Sequence, residues 1–575
     1  MVSNPTDEGV CPDSDQKINI SAMATNENPE PQEEKLPGIV HMEAFNDQIT
    51  TAERVMLFSS MFVVGFAFGL DALVRSTYQG YATSSYSQHS LLSTINVIRG
   101  VIAAASQPLA AKLSDLIGRL PLFLIVALFY VVGTIVETCA TQVQHFAAGA
   151  LLYQIGYTCT LLVLEIIIAD ITSIRSRVIF VLLPNTPYII NTWISGNVTS
   201  AVLGVTTWKW GIGMWCIIYP VCLIPFVTIM TIVGRRASKS IPHQIKHTPS
   251  KENTRLQMLA DVFHKLDIVG VFLLTATLSL TLIPLTLAGG ESKKWKTAGI
   301  ITPLVLGILM IPVFAVWERT TAHPMMPRYL LRERGVWAAL LVAIFISFSW
   351  CTQADFLYTV LIVGFDFSIA DSTRIASVYS FCAIVGGVSL GLVIRKIRRL
   401  KPFIVGGISL WLVAYGIMFH YRGGTDTSAK AGVIAGQVLL GVTGGFFSYP
   451  NMAAAQALTK HEDIAVITSI MLTMNNVGVA LGNTVSGAIW TQTLYDRLQK
   501  DLAPNFELAQ QVYAAPLYVV PEYPVGTPER TAIIESYRYV QRLLMIAGMC
   551  LVIPMLTFAM CLRDTRLPKP KKPEL

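Results

Sequence analysis

Ionisable side chains set inside long apolar runs are the residues of this sequence best placed to do chemistry. A charge at mid-helix depth in hydrocarbon costs roughly 3 kcal/mol or more, so each needs a partner, a wet cavity or a proton. Asp71 and Arg75 lie four apart and share one helix face. Desolvation makes a carboxylate hold its proton and a nearby guanidinium loosens it, so Asp71 is a candidate for loading and releasing protons. An ion pair snorkelling toward the head groups accounts for the same spacing. Glu137 and Asp355 fall at comparable depths in two other runs, and with Asp71 they could line one outward vestibule. Asp355 stands in SWCTQADFLYT beside Trp350, Gln353 and Tyr358, a mixture suited to a large polar ligand with apolar patches. Glu165 lies toward the opposite end of its run and is a second candidate for proton release. Arg99, in NVIRGVIAA, sits near mid-depth, where it either anchors an acidic partner or ligand oxygens or is satisfied by helix carbonyls.

The elements that must position these residues are membrane helices. The 575 residues are 53% hydrophobic and 14% charged, against about a quarter charged in soluble proteins. Mean hydropathy is +0.54. Apolar runs at 54–74, 91–110, 121–140, 146–169, 178–203, 211–233, 267–288, 298–317, 337–361, 372–394, 402–420, 431–455, 464–490 and 541–562 are each long enough to cross a core of ~30 Å as a helix. An all-α membrane protein with about 14 transmembrane helices is expected. Lys and Arg gather in alternate loops, in RKIRRLK (395–401) and in the tail 563–575, which puts both termini in the cytoplasm. ESKKWK (291–296) is an exception on the other side. The net charge of +7 is then a topology signal and a contact with anionic lipid, not a nucleic-acid site.

A weak repeat, AAKLSDLIGRLPLF (110–123) against GLVIRKIRRLKPF (391–403), divides the chain into two similar halves. The expected organisation is a disordered cytoplasmic segment 1–52, a six-helix half 53–233, a basic linker with two inserted helices 234–335, a second six-helix half 336–562, and a basic cytoplasmic tail 563–575. The outer loop 491–540 is long and tyrosine-rich, which suggests a folded cap carrying Tyr513, Tyr518 and Tyr523. Nine cysteines form no C-x-x-C pair, and no His/Cys/carboxylate cluster has metal-ligand spacing, so no cofactor or metal is expected. No nucleophile–base pair or phosphate cradle points to an enzyme.

D-x-x-G-R in the loop after the second run resembles the signature loop of the major facilitator superfamily; Asp115, Gly118 and Arg119 match, while Ala111, Leu116 and Leu120 depart from it. The resemblance implies a gate in which Asp115 meets a helix N-terminus and Arg119 pairs across the inner mouth; a solvated basic turn is the alternative. Over 69–119, DFLYTVLIV (355–363), SYPNMAAAQALTKHEDIAVITS (448–469) and 516–544, the chain resembles the fungal siderophore–iron transporter family. That resemblance implies the major facilitator fold, two six-helix halves plus two extra helices, and a monomeric proton-coupled importer of ferric siderophores, hydroxamates above all, in the plasma membrane and endosomal vesicles. The iron arrives already chelated, so the protein need supply walls and donors rather than ligands. Tyr78 and Tyr81 at the outer mouth, Tyr157, and Asn475 and Asn476 at mid-depth are candidates, with the interfacial tyrosine belt the alternative for the mouth residues. The rival function is a proton antiporter exporting glutathione or drugs. LPNTPYIINTWISGN (183–197) lacks the G-P-x-x-G-G-like stretch of drug antiporters, which favours import.

Overall fold

The computed structural model describes residues 37–172, 180, 183–240, 263–264, 266–288, 294–321, 324–459 and 464–564. Among them there is no strand. Local signals fix many helix starts: the Thr50 hydroxyl and the Glu53 side chain close a capping box at α2 (Thr51–Ser85). The first half continues with α3 (Leu92–Ile117), α4 (Arg119–Cys139), α5 (Val143–Ile171), α6 (Tyr188–Val205) and α7 (Trp215–Ser240). An inserted pair follows, α8 (Ile268–Leu287) and α9 (Ala298–Thr320). The second half comprises α10 (Arg334–Ala354), α11 (Leu357–Phe365), α12 (Ile369–Ile397), α13 (Lys401–His420), α14 (Thr427–Ala457), α15 (Ile464–Asp501) and α17 (Pro528–Cys561). Among the described residues, eleven helical segments are long and apolar enough to cross a membrane. The helices α3, α6 and α15 stand where spans are expected but are not among those eleven, so length and composition do not establish the count of about 14.

Two separate apolar cores hold the halves together internally, one around Phe68, Phe123, Tyr130 and Tyr219, the other around Trp411, Tyr415, Phe447 and Met555. The halves meet chiefly where α3 packs on α15 and α6 on α12. The inserted α8 touches both α3 and α15, and α9 packs on α8. Most of the apolar surface of α9 faces outward, as a lipid-facing helix must.

Three local expectations are corrected. Residues 37–48, taken as part of a disordered segment, form helix α1 (Pro37–Gln48). Its Met42 and Phe45, with Ile49 just beyond, are buried in the first core; Gly38 lies against the carbonyls of Ser114 and Asp115. The run 337–361 is two helices, because the chain breaks at Asp355 and Phe356. The loop 491–540 is shorter than expected: α15 runs on to Asp501 and α17 begins at Pro528. Between them α16 (Phe506–Ala514) and a short helix Pro516–Val519 fold down as a cap. This side of the molecule is called the cap end. Of the basic residues in the alternate loops and the tail, Arg175, Arg177, Lys246 and those within 565–575 lie outside the described residues.

Candidate functional site

In the first half, close helix contact assembles a buried charge cluster. A Cβ on Gly156 would stand within 2.4 Å of Tyr130 N, and one on Gly149 within 2.6 Å of Glu137 N, so α4 and α5 touch backbone to backbone only because these positions are glycine. That contact carries Tyr130, Thr134 and Glu137 of α4 and Tyr153 of α5 against α2. Arg75 spans Asp71 with Nε donating to Oδ1 at 3.0 Å and Nη2 to Oδ2 at 3.0 Å. Its Nη1 donates to Glu137 and its Nη2 also to Thr134 Oγ1. The Tyr153 hydroxyl donates to Asp71 Oδ2 at 2.9 Å, and Tyr130 donates to the same oxygen. The Arg75 guanidinium lies 3.7 Å from the centre of the Tyr153 ring, with Arg99 5.6 Å from it. Arg75, Asp71 and Glu137 are at most 1% exposed. Asp71 and Glu137 are therefore brought together as expected, but sealed inside the half rather than lining a vestibule, and Asp355 is not with them. Removing one member would strand a buried charge.

A central cavity of about 540 Å³ opens between the halves. Of the expected contact residues, Tyr157, Gln353, Asp355 and Tyr358 line it. Its wall also takes Tyr188 from α6, Trp350 from α10, Tyr379 from α12, and Gln437 and Tyr449 from α14. Tyr157 and Tyr188 join hydroxyls at 3.0 Å, and Gln437 Nε2 donates to Gln353 Oε1 at 2.9 Å. Trp350 Nε1, Gln353 Nε2 and Gln437 Oε1 have no hydrogen-bond partner among the described residues. Buried polar atoms are normally paired, so this wall keeps hydrogen-bonding capacity for whatever fills the cavity. Among the described residues no Lys or Arg lines it. Among the described residues no three His, Cys, Asp or Glu side chains come together as a metal site.

The remaining candidates lie elsewhere. Arg99 donates to Gln154 Oε1 at 2.9 Å and Gln79 Oε1 at 2.7 Å, behind the cavity wall. Tyr78 is wholly buried against Gly211, and Tyr81 packs edge-on against Tyr518 and tilted against Tyr358, closing the cap end. Asn475 accepts from Ser347 at 3.4 Å, and Asn476 donates to Gln107 at 2.9 Å, joining α15 to α3. Glu165 lies close enough to Tyr449 for their charges to interact. Gly118 ends α3 with φ +92, a left-handed backbone that favours glycine. Arg119 pairs with Asp115 at 2.8 Å and Asp170 at 2.9 Å, both within the first half rather than across the mouth. In the cap, Tyr513 packs tilted against Tyr495, Tyr523 packs on the core under the cap, and Tyr518 is 46% exposed.

Sequence reasoning missed the neutral members: Gln79, Asn96, Tyr130, Tyr188, Gln437 and His89. Nothing in a residue type marks an amide or phenol as central until its neighbours are known. His89 had one usable signal, an imidazole in a short polar turn between two apolar runs. It is fully buried, with Nδ1 3.1 Å from Ser84 Oγ and Nε2 3.0 Å from Thr359 Oγ1, linking the halves at the cap end. Burial pushes its pKa down to about 4, against a smaller opposing effect of a hydrogen bond donated to the Gly80 backbone.

Residues 45–509 match the family model described as the fungal trichothecene efflux pump. The chain is 42% identical to Siderophore iron transporter 1 of Saccharomyces cerevisiae, over 96% of this chain and 88% of that protein. It is 32% identical to Siderophore iron transporter 1 of Schizosaccharomyces pombe, over 92% and 84%. Among solved structures, a peptide transporter POT in complex with sulfate superposes with a TM-score of 0.56 at 15% identity, covering 91% of this chain and 99% of that one. A bacterial homologue of the lysosomal transporter Spinster, inward-facing and occupied, gives 0.53 at 13% identity, covering 89% and 97%.

Proposed function

Since the chain belongs to the fungal siderophore iron transporters of the major facilitator superfamily, we propose that it imports ferric siderophores of the hydroxamate type, driven by protons. The observation that carries this reading is the cavity between the halves, walled by aromatic rings and by side-chain amide and indole groups left without protein partners. A ferric trihydroxamate is neutral at the metal and presents oxygens to its surroundings. Trp350 Nε1 and Gln353 Nε2 suit such oxygens, and Tyr157 and Tyr358 suit its apolar parts. A tris-catecholate carries a large negative charge, which a wall with Asp355 and without Lys or Arg would repel.

Asp71 and Glu137, held on one guanidinium, and Glu165 near the cavity are the residues we assign to proton coupling. Asp115, Gly118 and Arg119 brace the loop end of the first half. Tyr513, Tyr518 and Tyr523 belong to a cap on the outer side, with both termini in the cytoplasm. Arg99, Tyr78, Tyr81, Asn475 and Asn476 act on cargo through the packing of the wall. The site is the plasma membrane, with endosomal vesicles a second residence, and the working unit is the monomer.

Export of a drug-like compound or glutathione is the second reading, favoured by the efflux pump named in the matching family model. The deciding experiment places the purified protein in vesicles with an alkaline lumen and follows a radioactive-iron trihydroxamate. Accumulation that a protonophore abolishes is expected, with a strong loss in Asp71→Asn and Glu165→Gln. No accumulation by the unaltered protein overturns the reading.

A further inference from the structure

His89 stands in the short turn between α2 and α3 of the first half, yet its ring is seated in the second. The imidazole is fully buried and meets the rings of Phe356 and Trp490 edge to face, at 6.0 and 6.4 Å between centres. Nδ1 lies 3.1 Å from Ser84 Oγ and 3.2 Å from Thr83 Oγ1, both of α2, and Nε2 lies 3.0 Å from Thr359 Oγ1 of α11. The Thr83 hydroxyl already donates to the carbonyls of Gln79 and Gly80, so toward the ring it can only accept. The hydrogen-bond network thus assigns the tautomer: Nδ1 carries the proton, and Nε2 offers its lone pair to the Thr359 hydroxyl across the seam. A second proton has only that lone pair to occupy. No charge nearby offsets the imidazolium so formed, and none acts on the ring among the described residues. The charged groups of the surrounding elements are engaged elsewhere. Asp71 pairs with Arg75 on α2, Arg99 of α3 serves Gln79 and Gln154, and Asp355 at the end of α10 accepts from Asn96. On α15 Arg497 pairs with Asp501 while Asp496 and Lys500 are exposed; Glu507 of α16 accepts from Gln511; α11 carries no charge. Burial therefore keeps the sealed ring neutral down to a pH of about 4, whereas an imidazole in water titrates near 6.5.

We propose that His89 is a proton-operated lock of the cap end: neutral, it fastens the first half to Thr359 of the second; protonated, it favours the parted mouth. As this end opens, water reaches the ring, Nε2 takes a proton from it, and the bond to Thr359 is not remade. On closure the Nε2–H bond breaks and the proton returns to water on the cap side, so it does not cross with the cargo. The lock is thus separate from the carboxylates assigned to coupling. It sets how much of the protein is open at this end, and acid raises that share. That the acid is external rests on the outward placement of the cap in the import reading. Linkage gives the size of the effect: for a ring that titrates near 4 sealed and near 6.5 open, the ratio of open to closed molecules rises about 25-fold from about pH 7.5 to about pH 5.

The test measures distance across the mouth without cargo or a proton gradient. Cys11, Cys139 and Cys550 are changed to serine in the full chain, and nitroxides are placed by Thr207→Cys in the first half and Ser428→Cys in the second, both exposed at the cap end. Paramagnetic distance distributions are then recorded in lipid from about pH 7.5 to about pH 5. The longer-distance share is expected to grow about 25-fold relative to the shorter with His89 present, and by less than about twofold in His89→Gln, whose amide keeps hydrogen bonds but does not titrate. Thr359→Val removes the bond and keeps the titrating ring, so it should raise the open share about fivefold at pH 7.5 and preserve the rise toward acid. A distribution that pH does not move, a full response retained in His89→Gln, or an open share unmoved by Thr359→Val overturns the proposal. Vesicles that accumulate no iron chelate would sink the import reading, a result distinct from any of these because the distance measurement involves no cargo.

Discussion

Burial gives each polar side chain of this protein a definite task. Arg75 satisfies two carboxylates and lies over an aromatic ring, so three charges persist where one alone would be expelled. The sequence makes those charges conspicuous, since Asp71, Arg75 and Glu137 interrupt apolar runs. Their partners are not legible, because which faces of α2 and α4 meet depends on glycines of a third helix. His89 offers a measurable consequence at this scale. Sealed, it titrates near 4; unfolded, it titrates near 6.5. The stability gained by keeping it neutral is thus complete above pH 6.5 and lost progressively toward pH 4, by about 3 kcal/mol in all. Melting curves of the purified protein in detergent should fall more steeply over this interval than those of His89→Gln. Parallel curves would show that the imidazole does not set the response.

Helices follow hydropathy closely here, and every expected apolar run contains one. What hydropathy could not locate are the departures from it. The α1 segment buries Met42 and Phe45 from a stretch whose acidic and polar residues read as solvated. The break at Asp355 lies inside a run that looks continuous, and it lets the carboxylate reach the cavity from a helix end. The α4–α5 contact is equally hidden, since its glycines are ordinary in membrane helices until the partner is seen. Replacing Gly156 by leucine should drive those helices apart, destabilising the fold by about 3 kcal/mol or more and withdrawing Tyr130 and Tyr153 from Asp71. Gly204, whose Cβ would meet nothing, serves as the control: Gly204→Leu should leave melting and transport almost unchanged.

The whole molecule is two apolar cores joined by seams that mix polar bonds with apolar packing, as of Val97 and Val101 on Ala480. Three bonds between the halves lie at the cap end: Thr77 to Thr373 at 3.1 Å, Thr199 to Thr373 at 3.2 Å, and His89 to Thr359. Among the described residues no ion pair joins the halves. Hydroxyl pairs of this kind are each worth about 1 kcal/mol, weak enough to part during a cycle. The two-half plan was visible in the faint repeat, whereas the seam, made of threonines common to any membrane helix, was not. Cysteines placed at 77 and 373 should cross-link under mild oxidation, stop iron uptake, and release it again on reduction. Uptake that continues with the link formed would mean that this end does not open.

The inserted hairpin makes the seam unequal. Along one margin α8 leans on both α3 and α15, and Thr94 donates to Thr286 at 3.0 Å; along the other margin α6 and α12 meet unaided. A strut fastened on one flank turns a symmetric rocker into a door hung on its jamb, swinging widest at the α6–α12 edge.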